Sequence, residues 1–395
     1  MNVRIYRNVT VPNNIKLSHY KKNPELGPKI LFFSGGTALR SLSRELIHYT
    51  YNSIHIITAF DSGGSSAKLR EAFHMPAVGD IRARLMDLAD QSLQGNREIY
   101  ALFAYRFPKQ ALNTELLKEL ENMVSGKHRL IARITDPMRK IILNHLYWFR
   151  EKMPSDFDLR GASIGNLVVT AGYLENRRQL DPVISIFSKL VRVRGTVRPI
   201  ANKYLHLAAE LDDGSVIVGQ HLLTGKETKP ISSRIIKLFI TDDPDEHQPI
   251  TLMLRKKMTD LIHKADLICY PMGSFFSSIL AQFLVKGVGK AIAASSVPKI
   301  YIPNTGRDPE CFGYTLMEQV GALLEYGRKD DQATAPSDFV SSVLIDRKNG
   351  NYPGGIDDDY FVRQGIELID CPLITNASKP FIDENHLLPV LLALC

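Results

Sequence analysis

Cysteine is scarce in this chain of 395 residues, and it does not cluster. Cys269, Cys311, Cys371 and Cys395 lie far apart and form no CxxC pair, which argues against a zinc site or a disulfide framework. Three of the four sit in or beside apolar, strand-like runs, where free thiols are commonly buried. Long hydrophobic runs are also missing. No uncharged stretch approaches the ~20 residues of a membrane helix, and Leu387–Cys395 is far too short. The start, Met1-Asn2-Val3-Arg4-Ile5-Tyr6-Arg7, has no apolar core of the signal-peptide kind. The expectation is a cytoplasmic protein that does not engage a membrane. A P-loop lysine motif and a good GxGxxG are both lacking, which disfavours the common ATPases and dehydrogenases. No HExxH, paired-histidine spacing or Ser-His-Asp order stands out, and His206 and His221 read as ordinary strand residues.

Lysine and arginine (49) exceed aspartate and glutamate (42), for a net charge of +7. That excess suits an anionic ligand, but it is scattered rather than gathered in a basic tail, so nucleic acid is a poor candidate partner. Aliphatic residues are plentiful enough for a sizeable core.

Strand-like runs alternate with helical patterns, which predicts an α/β fold with a mainly parallel sheet. Ile30–Phe33 and Ile54–Ala59 read as the first strands. Between and after them, Leu39, Leu42 and Leu46, then Ile81, Leu85 and Leu88, repeat at helical spacing. Residues 95–155 read as helices alone, with Leu116, Leu120 and Met123 on one face and Ile142, Leu146 and Phe149 on another. Further on, Leu205–Leu211 and Val216–Gly219 flank Asp212-Asp213-Gly214-Ser215, a hairpin turn. Asp266–Tyr270 and Lys299–Pro303 are later strands. The chain thus divides into an N-terminal extension (1–28), a first part of the α/β core (29–94), a helical insertion (95–155) and the rest of the core with its hairpin (156–395).

Five constellations carry chemistry. Ser34-Gly35-Gly36-Thr37 lies between a strand and a helix; its glycines let backbone N–H groups approach an anion, with Thr37 capping the helix or donating to a phosphate oxygen. A plain capped turn is the alternative. Asp61-Ser62-Gly63-Gly64-Ser65-Ser66 follows the second strand, where doubly wound sheets bind ligands. Asp61 there is placed to accept from a ribose or to hold a divalent cation. Gly79-Asp80-Ile81-Arg82 adds a second carboxylate and a guanidinium, or simply an acidic helix start paired with Arg82 or Arg84. Gly165-Asn166 interrupts an apolar helix, for close packing or for an amide that reads a base or phosphate. At strand periodicity Arg192, Arg194, Thr196 and Arg198 share one face, a row suited to phosphate or to an exposed edge. Finally Tyr270-Pro271-Met272-Gly273-Ser274 repeats the strand–glycine–hydroxyl–helix pattern, and Asn304 ends a further strand on the same side.

In order and spacing these segments resemble the CofD/YvcK family, from about Lys29 to Ile369. The resemblance rests on Gly35-Gly36-Thr37, Asp61 with Gly63-Gly64-Ser65-Ser66, Gly79-Asp80-Ile81-Arg82, Gly165-Asn166, Val193-Arg194-Gly195, Ala209-Glu210-Leu211-Asp212-Asp213-Gly214, and Ala265-Asp266 through Gly273-Ser274. It implies a Rossmann-like three-layer α/β/α fold. In the transferase branch it implies joining a phospho-lactate or phosphoenolpyruvate unit, activated on guanosine diphosphate, to a deazaflavin alcohol, as 2-phospho-L-lactate transferases do in coenzyme synthesis. The transferase is the expected function; the alternative, in the YvcK branch, is a regulator that holds a UDP-sugar. On the first reading Asp61, with Asp80, holds Mg²⁺ and Arg192 and Arg194 neutralise the leaving group. On the second, a bound-state surface recruits a protein partner; a homodimer is compatible with either. Three departures mark a divergent branch: Ala38 where the family has glycine, Ser62 where it has a second aspartate, and Met272-Gly273-Ser274 where the pattern is nearer GPGS.

Overall fold

The computed structural model describes residues 8–225 and 228–395; the reading of Met1–Arg7 lies outside them. Seven parallel strands form the central sheet: β1 Ile30–Ser34, β2 Ile54–Ile57, β3 Thr196–Pro199, β4 Leu267–Tyr270, β5 Lys299–Tyr301, β6 Ser342–Ile345 and β7 Glu367–Asp370. Their order across the sheet is β3-β2-β1-β4-β5-β6-β7. The two inner strands β1 and β4 are apolar and buried along their whole length. A parallel strand covered on both faces has no solvent side to pattern, so a continuous apolar run is its signature. Alternate side chains still divide between two cores. Leu31, Phe33, Ile268 and Tyr270 enter one, and Ile30, Phe32, Leu267 and Cys269 enter the other. With helices on both faces, this is the expected three-layer α/β/α arrangement.

Residues 95–155 fold into the helices Arg97–Ala104, Asn113–Val124, Arg129–Ala132 and Met138–Lys152. Leu116, Leu120, Met123, Ile142, Leu146 and Phe149 are all buried, as their spacing predicts. They share one apolar cluster with the following helices Ile164–Glu175 and Leu180–Leu190. Each such side chain contributes roughly 1.5–3 kcal/mol, and the same cluster takes in Ile57 and Val197 of the sheet, which ties the helices to it.

The hairpin is present: His206–Leu211 pairs antiparallel with Val216–Val218 and, on its other edge, with Ile235–Thr241. Gly214 in its turn has φ +84°, a conformation that glycine adopts without strain. Among the described residues no helix is long and apolar enough to cross a membrane.

The strand order matters for the site. From β1 the chain steps outward to β2 and β3, then returns through the hairpin sheet to β4 on the other flank of β1. The connections therefore diverge between β1 and β4, and a crevice opens outside the carboxyl ends of those strands.

Candidate functional site

A cavity of about 600 Å³ occupies that crevice, a size typical of small-molecule sites. Gly35, Gly36, Thr37, Asp61, Gly63, Asp80, Gly273, Ser274 and Asn304 all line it. Five separate sequence segments thus converge on one cleft.

The turn after β1 is held from beneath by Arg84, which is fully buried in the helix Gly79–Asp87. Its guanidinium donates to the carbonyls of Gly35 (3.3 Å), Gly36 (3.0 Å) and Leu39 (3.0 Å) and to Ser43 Oγ (2.6 Å). Burial lowers its pKa to about 10, opposed by Asp87 and Asp80, so it stays charged at neutral pH. A cation that gathers carbonyls on one side fixes the turn rigidly. The glycines are there for space. A Cβ on Gly36 would lie 2.3 Å from Asp80 Oδ1, and one on Gly35 would lie 2.3 Å from Ser278 Oγ.

Asp61 Oδ1 accepts from the Gly63 N–H at 3.1 Å, which closes the turn into the helix Gly64–Phe73. Its other oxygen approaches Gly79: a Cβ there would lie 3.1 Å from Asp61 Oδ2. Asp61, Asp80 and Gly36 therefore line one stretch of the cleft, with Gly79 packed against Asp61. Ser62, at the position of the family's second aspartate, bonds His221 instead, with Oγ to Nδ1 at 2.8 Å. His221 is not a strand residue: it lies in the short helix Gln220–Thr224 and lines the cleft.

The turn after β4 has the opposite electrostatics. Phe275 N–H donates to Asp308 Oδ2 and Ser277 N–H to Glu310 Oε2, both at 2.8 Å. Ser277 Oγ also donates to Glu310. Gly273 N–H is taken by Asn304 Oδ1 at 2.9 Å, and Asn304 Nδ2 returns a bond to the Gly273 carbonyl. The expectation of a second anion-receptive helix start is corrected here, because the chain's own carboxylates already accept those N–H groups. Glu310 is fully buried, and desolvation, with Asp308 next to it, pushes its pKa up to about 8.

Other expected site residues are placed elsewhere. Arg192 has φ +52° and does not belong to a strand; its guanidinium donates to the Gln94 carbonyl. Arg194 bonds Asp90 at 2.8 Å and lies over the Tyr51 ring. Both precede β3, whose strand residues begin only at Thr196, so they sit at the amino end of the sheet, away from the cleft. The expected row of guanidiniums does not form. Arg82 donates to Asn166 Oδ1 at 3.1 Å, and Asn166 Nδ2 donates to Ser65 Oγ at 3.2 Å. Gly165 packs against Arg82, where a Cβ would lie 3.2 Å from two of its methylenes. Close packing is thus the geometry at Gly165-Asn166. Ser65, Ser66 and Gly64 belong to the helix behind the cleft and do not line it.

Several lining or supporting residues have no counterpart in the sequence reading: Arg84 as a clamp, Asp308 and Glu310, Gln220 and Phe381; His221 reads there as a strand residue instead. Asp308 and Glu310 follow Asn304 by four and six positions, so a strand-end asparagine with acids just beyond was the available signal.

Fold and cleft together define a Rossmann-like α/β protein with a switch-point cavity walled by glycine turns and carboxylates. The chain belongs to the CofD family: residues 30–373 match the family described as 2-phospho-L-lactate transferase CofD. The gluconeogenesis factor of Bacillus subtilis (strain 168) is 27% identical over 373 residues, which cover 91% of this chain and 95% of that one. The gluconeogenesis factor of Halalkalibacterium halodurans is 27% identical over 368 residues, or 89% and 93% of the two chains. A crystal structure of a UPF0052 family member from Bacillus halodurans, 23% identical, shares the fold with a TM-score of 0.65 over 92% of this chain and 99% of that one.

Proposed function

We propose that the cleft binds a nucleotide diphosphate ligand of the nucleotide-sugar kind, together with Mg²⁺, and that the protein acts as a regulator reading that ligand. The observation that carries this is the Arg84-clamped Gly35–Thr37 turn facing Asp61 and Asp80 in a single cleft. Among the described residues the lining holds Asp61, Asp80, Asp308 and Glu384 but one arginine, Arg307. A diphosphate meeting four carboxylates needs a bridging cation. No group of three or more His, Cys, Asp or Glu forms a metal cage among the described residues. Mg²⁺ is commonly held by one or two carboxylates plus ligand phosphates, so Asp61 and Asp80 fit it. Bound there, the ion supplies charge neutralisation.

Regulation is favoured over group transfer for two reasons. Ser62 replaces a carboxylate and is engaged by His221. The arginines that would neutralise a leaving group are at the other end of the sheet. The names of the bacterial relatives agree with that reading. Transfer of a phospho-lactate or phosphoenolpyruvate type unit on a guanine nucleotide is the second reading. The family description favours it, and His221, which lines the cleft, supplies an imidazole that could serve as a base.

A thermal-shift and calorimetry panel of UDP-sugars, GDP, GTP and phosphoenolpyruvate, with and without Mg²⁺, tests both. Stabilisation by a UDP-sugar that depends on Mg²⁺ supports the first reading; a ligand at ~100 times its Kd adds about 2.7 kcal/mol. Release of GDP from a phospho-lactyl donor would overturn it in favour of transfer. No binding by any member would remove both.

A further inference from the structure

We infer that Phe381 is the platform on which the ligand's nucleobase stacks, so that a segment beyond the family match completes the site. This rests on the nucleotide reading above and goes past it by assigning the base to one wall. The match to the family ends at residue 373, yet the cavity wall continues through Ser378, Phe381 and Glu384. Phe381 is 64% exposed while lining the cavity, an unusual position for a phenyl ring. It is also held in place. Thr305 Oγ1 donates to the Pro380 carbonyl at 2.7 Å, and Phe381 N–H donates to the Ser378 carbonyl at 2.8 Å. Asp383 N–H closes the segment onto the Leu373 carbonyl, also at 2.8 Å.

The Cδ1–Cε1–Cζ side of the ring is seated on the turn after β5. A Cβ on Gly306 would lie 2.7 Å from Phe381 Cε1, so glycine at 306 is what lets the ring lie against the backbone. A fixed, solvent-facing aromatic at a cavity wall offers a π-face that tolerates any base. Arg307, next in sequence to Gly306, also lines the cavity. The Gly35–Thr37 turn and the two carboxylates, on another wall, are left for the diphosphate.

The test is calorimetry on the full chain with Mg²⁺, using UDP and GDP as base-bearing probes and inorganic pyrophosphate as the base-free one. Stacking on an aromatic side chain is worth ~1–3 kcal/mol by alanine substitution, so Phe381→Ala should weaken the better nucleotide about tenfold or more. Pyrophosphate affinity should be unchanged, and Phe381→Trp should restore nucleotide binding. If wild type binds nucleotide and Phe381→Ala binds it equally well, the inference falls while the nucleotide reading stands. Equal loss of pyrophosphate, or a change in oligomeric state with affinity intact, would likewise overturn it in favour of a structural or interface role. If wild type binds neither probe, the nucleotide reading and the inference fall together.

Discussion

Two βα turns meet in the cleft, close enough that a Cβ on Gly273 would lie 3.2 Å from the Ala38 Cβ. Both read strand, glycine, hydroxyl, helix, yet their electrostatics are opposed. After β1 a buried arginine collects the carbonyls; after β4 half-buried Asp308 and buried Glu310 collect the N–H groups. The difference teaches that glycine spacing sets backbone shape, while the polar side chains packed behind a turn decide what it presents. A turn backed by Arg84 favours an anion, and one backed by Asp308 and Glu310 has its donors already spent.

The strongest way to break the comparison is to remove the charge behind the first turn. Arg84→Met leaves the Gly35, Gly36 and Leu39 carbonyls without their donor and Asp87 without its nearest buried partner. Losing one side of a buried charged network typically costs 3–5 kcal/mol, so a fall of about that size is expected in urea unfolding. An unchanged midpoint would mean that the clamp contributes nothing to the turn.

The second turn predicts a pH signature of its own. Glu310 has a folded pKa raised to about 8 by burial and by Asp308. The folded state therefore keeps a proton that the unfolded state has released above the usual carboxylate range. Stability is highest below that range and declines as pH rises to about 8. Glu310→Gln, neutral throughout, should flatten that slope in unfolding measured from pH 5 to 8. A slope identical to wild type would assign the pH dependence to other groups.

A finer cut separates the two glycines. Gly36→Ala forces its Cβ against Asp80 Oδ1, displacing a proposed Mg²⁺ ligand, and should weaken Mg²⁺-dependent ligand binding about tenfold. Gly273→Ala meets only the Ala38 methyl, but its φ of +142° strains any side chain. Its expected effect is a stability loss of about 1 kcal/mol with little change in affinity. The reverse pattern in calorimetry and melting would put the ligand against the second turn.

What sequence patterning conveyed, and what it did not, follows the same division. Periodicity found β1, β2 and the insertion helices, because burial of Phe32, Leu120 or Phe149 is a local property of spacing. The convergence of Thr37, Asp61 and Ser274 was also legible, since strand tips in a parallel sheet share an end, but Gly165, expected with them, packs against Arg82 and does not line the cleft. The polarity behind each turn was not. Arg84 acts on residues more than forty positions away, and Glu310 caps a helix thirty-three positions before it. Nor does strand periodicity reveal where a strand begins. Arg192 and Arg194 alternate correctly, but the backbone at Arg192 turns left-handed, so their register with the phosphate side never exists.

That last point sets the smallest expected effect, and it is informative because it is small. Arg194 is paired with Asp90 and packed on Tyr51 at the amino end of the sheet. Partly exposed pairs of this kind are worth about 0–1 kcal/mol. Arg194→Ala and Arg192→Ala should therefore lower stability by no more than that and leave ligand affinity within about twofold of wild type. A tenfold loss of diphosphate binding in either variant, with melting unchanged, would place an anion at the amino end of β3 and move the ligand away from the Arg84-backed turn.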